Sequence, residues 1–176
     1  MTFKRLFLFV EGDDDERFFR AVALPLLSRG YGDVQFVQFS RLKREKIRGF
    51  LRSVAAMQAD YVFVRDLDRH PCATAARDRV LEVFPQVDPA RLQIVKTEIE
   101  SWYCAGIAED HPWGSLDIAR RSDTSTVTKE EFDTAVARKG GLRLPAILAL
   151  LESFDRDLAA RRNESFHRFL RRFVSS

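Results

Sequence analysis

The chain has 176 residues, a net charge of +3 and 15 phenylalanines, with 45% hydrophobic and 31% charged residues. That length and apolar content fit one domain with a real core, at most with a small appendage, and exclude a disordered chain. Two cysteines, Cys72 and Cys104, are too few for a disulfide framework and do not make a zinc site. No apolar run is long enough to span a bilayer, and the N-terminal run reaches acids by Glu11, too soon for a signal peptide; we expect a cytoplasmic protein with no membrane association.

In chain order, Arg5 to Val10 is an unalternated apolar run, the pattern of a buried parallel strand, and Gly12 ends it. Asp13 to Arg29 reads as a helix with Phe18, Phe19, Val22, Leu26 and Leu27 on one face, which Pro25 should kink or shorten. Gly30 to Asp33 is a turn, and Val34 to Phe39 a second strand. Leu42 to Met57 is an amphipathic helix, Tyr61 to Val64 a third strand stopped by RDLDRHP, Ala73 to Phe84 a third helix and Leu92 to Val95 a fourth strand. TEIESWYCAG then opens a helix near Glu98. The alternation predicts a mainly parallel four-stranded α/β sheet with crossover helices. After Gly106 the pattern turns helical, over Thr128 to Ala137, Leu144 to Leu158 and Ser165 to Val174. We expect an α/β core over 1–106 and a helical C-terminal extension over 107–176 packed on it.

The acids fall at strand ends. EGDDDE places five acids in six residues after the first strand, Asp66 and Asp68 end the third, and Glu98 and Glu100 follow the fourth. In a parallel sheet these ends share one edge, where ligands of open α/β sheets bind. Two unit charges ~4 Å apart cost roughly 4 kcal/mol at an effective dielectric of 20, so such a cluster needs protons or cations. A hard, oxygen-loving divalent ion answers that need, since Mg²⁺ takes one or two carboxylates and shares phosphate oxygens with its substrate. Each motif also has a plainer reading. EGDDDE can be a capped helix start, DLD a polar turn before Pro71, and EIE a first-turn acid pair. Within a strand, Asp66 and Asp68 would point the same way.

FVEGDDDERFF followed by VRDLD resembles the Toprim domain, the metal-binding fold shared by topoisomerases, bacterial primases, recombination mediators and the overcoming-lysogenization-defect nucleases. Glu11 and Gly12 match the first motif, Asp15 takes its acid position, and Asp66 and Asp68 match the DxD. TEIESWYCAG resembles a segment of small stand-alone Toprim-like proteins, in which an acid such as Glu98 or Glu100 would complete the site. The resemblance covers about Lys4 to Gly106; Asp13 and Asp14 depart from the less charged residues usual there.

It implies a Rossmann-like Toprim fold and phosphodiester chemistry. Glu11 would act as general acid or base, and Asp66 and Asp68 would hold Mg²⁺ or Mn²⁺. Asp15 and Glu98 or Glu100 could hold a second ion, two ions ~3.5–4 Å apart being a known arrangement for in-line displacement. Lys139, in KGG, is carried over as a phosphate contact. From the residues themselves, Arg65 and Arg69 flank the DxD, and further basic candidates are Arg41, Lys43, Arg44, Lys46 and the C-terminal arginines. The expected function is a Mg²⁺-dependent nuclease or nicking enzyme on DNA or RNA, in a prokaryotic defence or repair system. The alternative is a non-catalytic, metal- or nucleic-acid-binding partner of a separate ATPase subunit. Transfer to a small phosphate is a third reading, lowered by the lack of a GxxxxGK loop. Oligomeric state is left open.

Overall fold

Residues 4–174 are described by the structure, a computed structural model. They form strands β1 (Arg5–Val10), β2 (Asp33–Gln38), β3 (Asp60–Asp66) and β4 (Leu92–Val95). The helices are α1 (Asp13–Phe18), α2 (Leu24–Leu27), α3 (Arg44–Ala56), α4 (Ala73–Val83), α5 (Glu100–Ala105), α6 (Lys129–Arg138), α7 (Arg143–Glu152), α8 (Arg156–Arg162) and α9 (Glu164–Phe169). Every strand of the sequence reading is present, in an all-parallel four-stranded sheet ordered β2-β1-β3-β4. Contacts divide the described residues into two compact units that meet between Ile94 and Val95. Among these residues no helix is long and apolar enough to cross a membrane.

In the first unit, β1 is central and pairs in parallel with β2 (Leu8↔Phe36) and β3 (Phe9↔Phe63). Leu6 to Val10 are all buried, as a strand covered on both faces requires. Alternation sends Phe7 and Phe9 to one face, where they join Val37, Phe39, Phe63, Ile47, Leu51 and Val54 of α3, and Val80 of α4. Pro25 acts as expected. Between α1 and α2 the backbone widens into a π turn over Phe19–Ala23, with the Leu24 amide donating to the Phe19 carbonyl. Proline has no amide hydrogen and crowds the carbonyl four residues back, so a wide turn just before it relieves both constraints.

The second unit is helical after α5. The run expected as one helix over Leu144 to Leu158 is two, α7 and α8, broken at Ser153–Asp155. The Phe154 ring lies so close to Gly106 that a Cβ there would stand 2.4 Å from it, and the Asp155 amide donates to the Gly106 carbonyl at 3.1 Å. Asp155 then caps α8 by accepting from the Leu158 amide at 2.8 Å. Trp102, fully buried, sits 5.2 Å from the Phe166 ring and donates Nε1–H to Ser165 Oγ at 2.8 Å. Arg162 donates to the carbonyls of Ala105, Ile107, Ala119 and Arg121. KGG is a helix stop: Gly140 takes φ 72° after α6, and Gly141 leaves room for the Trp113 ring.

Candidate functional site

In a sheet ordered β2-β1-β3-β4 the chain leaves β1 to one side and later builds on the other, so β1 and β3 flank the switch point. Glu11 follows β1 directly, and β3 runs through Arg65 to Asp66. Strand alternation puts Glu11 on the face of Phe9, and Arg65 on the face of Phe63. The Phe9 and Phe63 rings stack at 5.6 Å, and Arg65 accordingly lies beside Glu11. Its Nη1 stands 3.0 Å from Glu11 Oε2 and its Nη2 2.8 Å from Asp68 Oδ2. One guanidinium thus gathers two of the predicted acids. Asp66 is buried at the end of β3.

Asp68 lies beyond the strand. β3 stops at Asp66, and Asp68 takes φ 49° in a turn closed by the His70 amide on the Leu67 carbonyl at 3.1 Å. Its carboxylate is aimed by that left-handed residue, a conformation Asp tolerates, and not by pleating. Arg69 is exposed on the same turn.

EGDDDE starts α1, and its acids have local duties. Buried Asp15 accepts the Gly12 amide at 3.2 Å; Asp14 pairs with Arg17 at 2.6 Å, Glu16 with Arg20 at 2.6 Å, and Asp13 accepts from Gln38 at 2.9 Å. All four lie in the first helical turn, where negative charge is favoured.

Glu98, Glu100 and Lys139 belong to the second unit. Glu98 Oε2 accepts the Lys129 amide at 2.6 Å, at the start of α6. Glu100 is 3% exposed and bonded to Arg143, which also holds Asp133. Burial pushes the Glu100 carboxyl up from its ordinary range, against the pull of the Arg143 hydrogen bond. Lys139 Nζ donates to the Pro112 carbonyl and to Ser115 Oγ at 2.9 Å, with the Trp113 ring 5.3 Å away.

Arg65 and Glu11 also line a cleft of about 330 Å³, with residues of α3, α4 and β3 and of the segment that follows β2. Phe39, Phe63 and Phe84 line it, with Arg44, His70 and Arg79 among its polar groups. Arg44 is among the basic residues picked out in the sequence; Arg79 is not, because on α4 it reads as a solvated helix position. No tyrosine suits a covalent intermediate. Burial and the Asp60 carboxylate push the Tyr31 phenol up to about 12, the Tyr61 hydroxyl accepts the Asp88 amide at 2.7 Å, and Tyr103 is fully buried.

Among the described residues no three His, Cys, Asp or Glu side chains gather around one ion position. The donor type nonetheless fits a hard divalent cation. Glu11 and Asp68 present carboxylate oxygens to one cationic group, and Mg²⁺ needs only one or two carboxylates beside water and substrate. A bound ion would share these oxygens with Arg65 or take them from it.

A parallel sheet with acids at its switch point and helices on its flanks is a Toprim-like α/β fold, as the motifs led us to expect. No family model matches the chain, and no curated protein matches it. Among solved structures it is similar to the C-terminal region of the Burkholderia pseudomallei OLD protein, with TM-score 0.53 and 15% identity over 98% of each chain. It is equally similar to the C-terminal region of the Xanthomonas campestris pv. campestris OLD protein, with TM-score 0.53 and 15% identity over 99% of this chain and 96% of that one. At that identity the likeness is one of fold.

Proposed function

We propose that the protein is a cytoplasmic, Mg²⁺- or Mn²⁺-dependent nuclease acting on nucleic-acid phosphodiesters in a defence or repair setting. Support comes from the fold it shares with the OLD C-terminal regions and, above all, from one observation. Glu11 and Asp68, from two different strand ends, meet on one guanidinium at the switch point of the sheet. In this reading Asp66 and Asp68 hold the cation, one ion or two. When bound, it supplies Lewis-acid stabilisation of the phosphoryl oxygens. Glu11, partly exposed beside the site, takes or returns a proton at the attacking or leaving oxygen. Arg65 is suited to substrate phosphate, because a planar guanidinium pairs bidentately with it. Glu98 and Glu100 are left out of this set, since one serves the start of α6 and the other Arg143.

The test is cleavage of plasmid DNA and of structured RNA with Mg²⁺ or Mn²⁺, wild type against Asp66→Asn/Asp68→Asn. A fall of at least ~100-fold is expected, the scale on which electrostatic groups of active sites act. Equal activity in both proteins would remove the basis for catalysis here. A second reading is favoured by the pairing of Arg65 with both acids: a domain that binds metal or nucleic acid for a separate ATPase subunit without cutting. Metal-dependent nucleic-acid binding with no cleavage of any substrate would select it.

A further inference from the structure

α9 and the π turn over Leu170–Val174 that prolongs it form one helical stretch with two unlike faces. Phe166 and Phe169, three residues apart, are fully buried on one of them. His167, Arg168, Arg171 and Arg172 are exposed on the other, where with Glu164 they line a hollow of about 440 Å³. From Leu158 to the end of the chain five arginines stand against one acid, Glu164, a larger positive excess than the +3 of the whole chain. Of these charges, Arg162 is taken up by backbone carbonyls, and Glu164 by Arg168 at 2.6 Å. His167 and Arg171 make no ion pair among the described residues. Like charges four residues apart on a helix are destabilising, and Arg168 and Arg172 stand so. Helix stability gives little reason to gather these groups; a polyanion supplies one.

We infer that this face holds the phosphate backbone of nucleic acid, independently of base sequence. Arginine suits the task, because its planar fork pairs bidentately with phosphate. The four residues span about 7.5 Å of helix axis. Over that length one strand of duplex DNA carries about two phosphates. Among the described residues the exposed large hydrophobics are Met57, Leu142, Leu144 and Leu148, none of them on this face. It therefore lacks the apolar anchor that a membrane surface or a protein partner would use. That the bound nucleic acid is a substrate rests on the nuclease reading; the binding itself needs neither metal nor cleavage. The face sets how tightly the strand is held, and the carboxylates of the first unit set whether it is cut.

The experiment measures binding of a short labelled DNA duplex and of a single-stranded oligonucleotide of mixed sequence, in EDTA, across a salt series. Arg171→Gln/Arg172→Gln should weaken binding to both by at least ~10-fold at low salt. It should also make the slope of log affinity against log salt shallower by about 2 for the duplex, one unit for each lost phosphate contact. Both side chains face solvent, so thermal melts should stay near wild type. Arg29→Gln/Arg52→Gln removes the same charge from exposed positions of the first unit, and at ~0.1 M salt its affinity should stay within about threefold of wild type. Glu164→Gln removes the one acid of the face and should tighten binding, by about twofold or more. Where cleavage is found, Arg171→Gln/Arg172→Gln should raise KM and leave kcat within about twofold. Absence of cleavage removes the nuclease reading and leaves the binding result to stand by itself. No binding by wild type, equal losses in the two double variants or an unchanged salt slope overturns the proposal. So does binding of phosphatidylserine vesicles or polyglutamate as tight as that of nucleic acid.

Discussion

Replacing Arg65 with Gln is the most informative single change, because this residue stands where the proposed cation would act. Its side chain is 29% exposed and reaches Glu11 at 3.0 Å and Asp68 at 2.8 Å. Pairs this exposed contribute about 0.2–1 kcal/mol each. A cation entering the site gives up the two of them, up to about 2 kcal/mol in all. Removing the guanidinium also leaves Glu11 and Asp68 without the cationic group they share, an excess of negative charge that favours a bound cation. Arg65→Gln should therefore bind Mn²⁺ more tightly, by about twofold to thirtyfold, while losing up to about 2 kcal/mol of metal-free stability. Titration calorimetry at low salt reads the first effect and urea unfolding in EDTA the second. The gain should shrink at high salt, where exposed charges are screened. If Mn²⁺ affinity is unchanged or lower in the variant, Arg65 does not compete for Glu11 and Asp68, and the shared-oxygen picture fails.

Other expectations concern the second unit. Arg162→Met would leave four backbone carbonyls without their donor and should cost about 2–4 kcal/mol in urea unfolding, with Arg162→Lys recovering only part of it. Glu131 has its carboxyl lowered from 4.5, first by the hydrogen bond from Arg121. A depressed acid stabilises above its unfolded value and loses that effect as pH falls through the folded one. The stability gap between wild type and Glu131→Gln should thus be full above about pH 5 and close below 4.5, as read by thermal melts across pH. Thr128→Ala, which removes the hydroxyl accepting the Glu131 amide at 3.2 Å, should cost about 1 kcal/mol. Gly106→Ala should cost more than a surface change of the same size, because the Phe154 ring occupies the position of the added methyl; a melt near wild type would contradict that contact.

Local pattern carried most of the first unit into view. Strand β1 matches its expected span residue for residue because an apolar run bounded by Lys4 and Glu11 leaves little choice. β3 is longer than the pattern suggested: RD reads as the start of a turn, yet pairing within a parallel sheet extends the strand to Asp66. That extension sets Arg65 beside Glu11, a contact between distant residues that no local periodicity encodes. For the same reason Arg65 was legible as a basic residue near the DxD but not as the partner of two acids. The α7–α8 break was hidden because LPAILALLESFDRDL keeps a helical apolar rhythm through Phe154. What interrupts it is the distant Gly106, small enough to let an aromatic ring dock. KGG looked like a phosphate contact in one dimension; its glycines answer to a left-handed turn and to Trp113.

The wide turn at Phe19–Ala23 sets the angular phase between the two ends of the first helical segment. Upstream, α1 carries Asp15 beside Gly12; downstream, α2 carries the buried Leu27. Each residue turns a helix by about 100°. Deleting one residue from this stretch would swing Leu27 out of its seat by that angle and push Pro25 into a regular ladder that cannot accept it. The extra residue therefore works as a spacer, letting the acid-bearing front and the apolar rear each face the direction its chemistry requires.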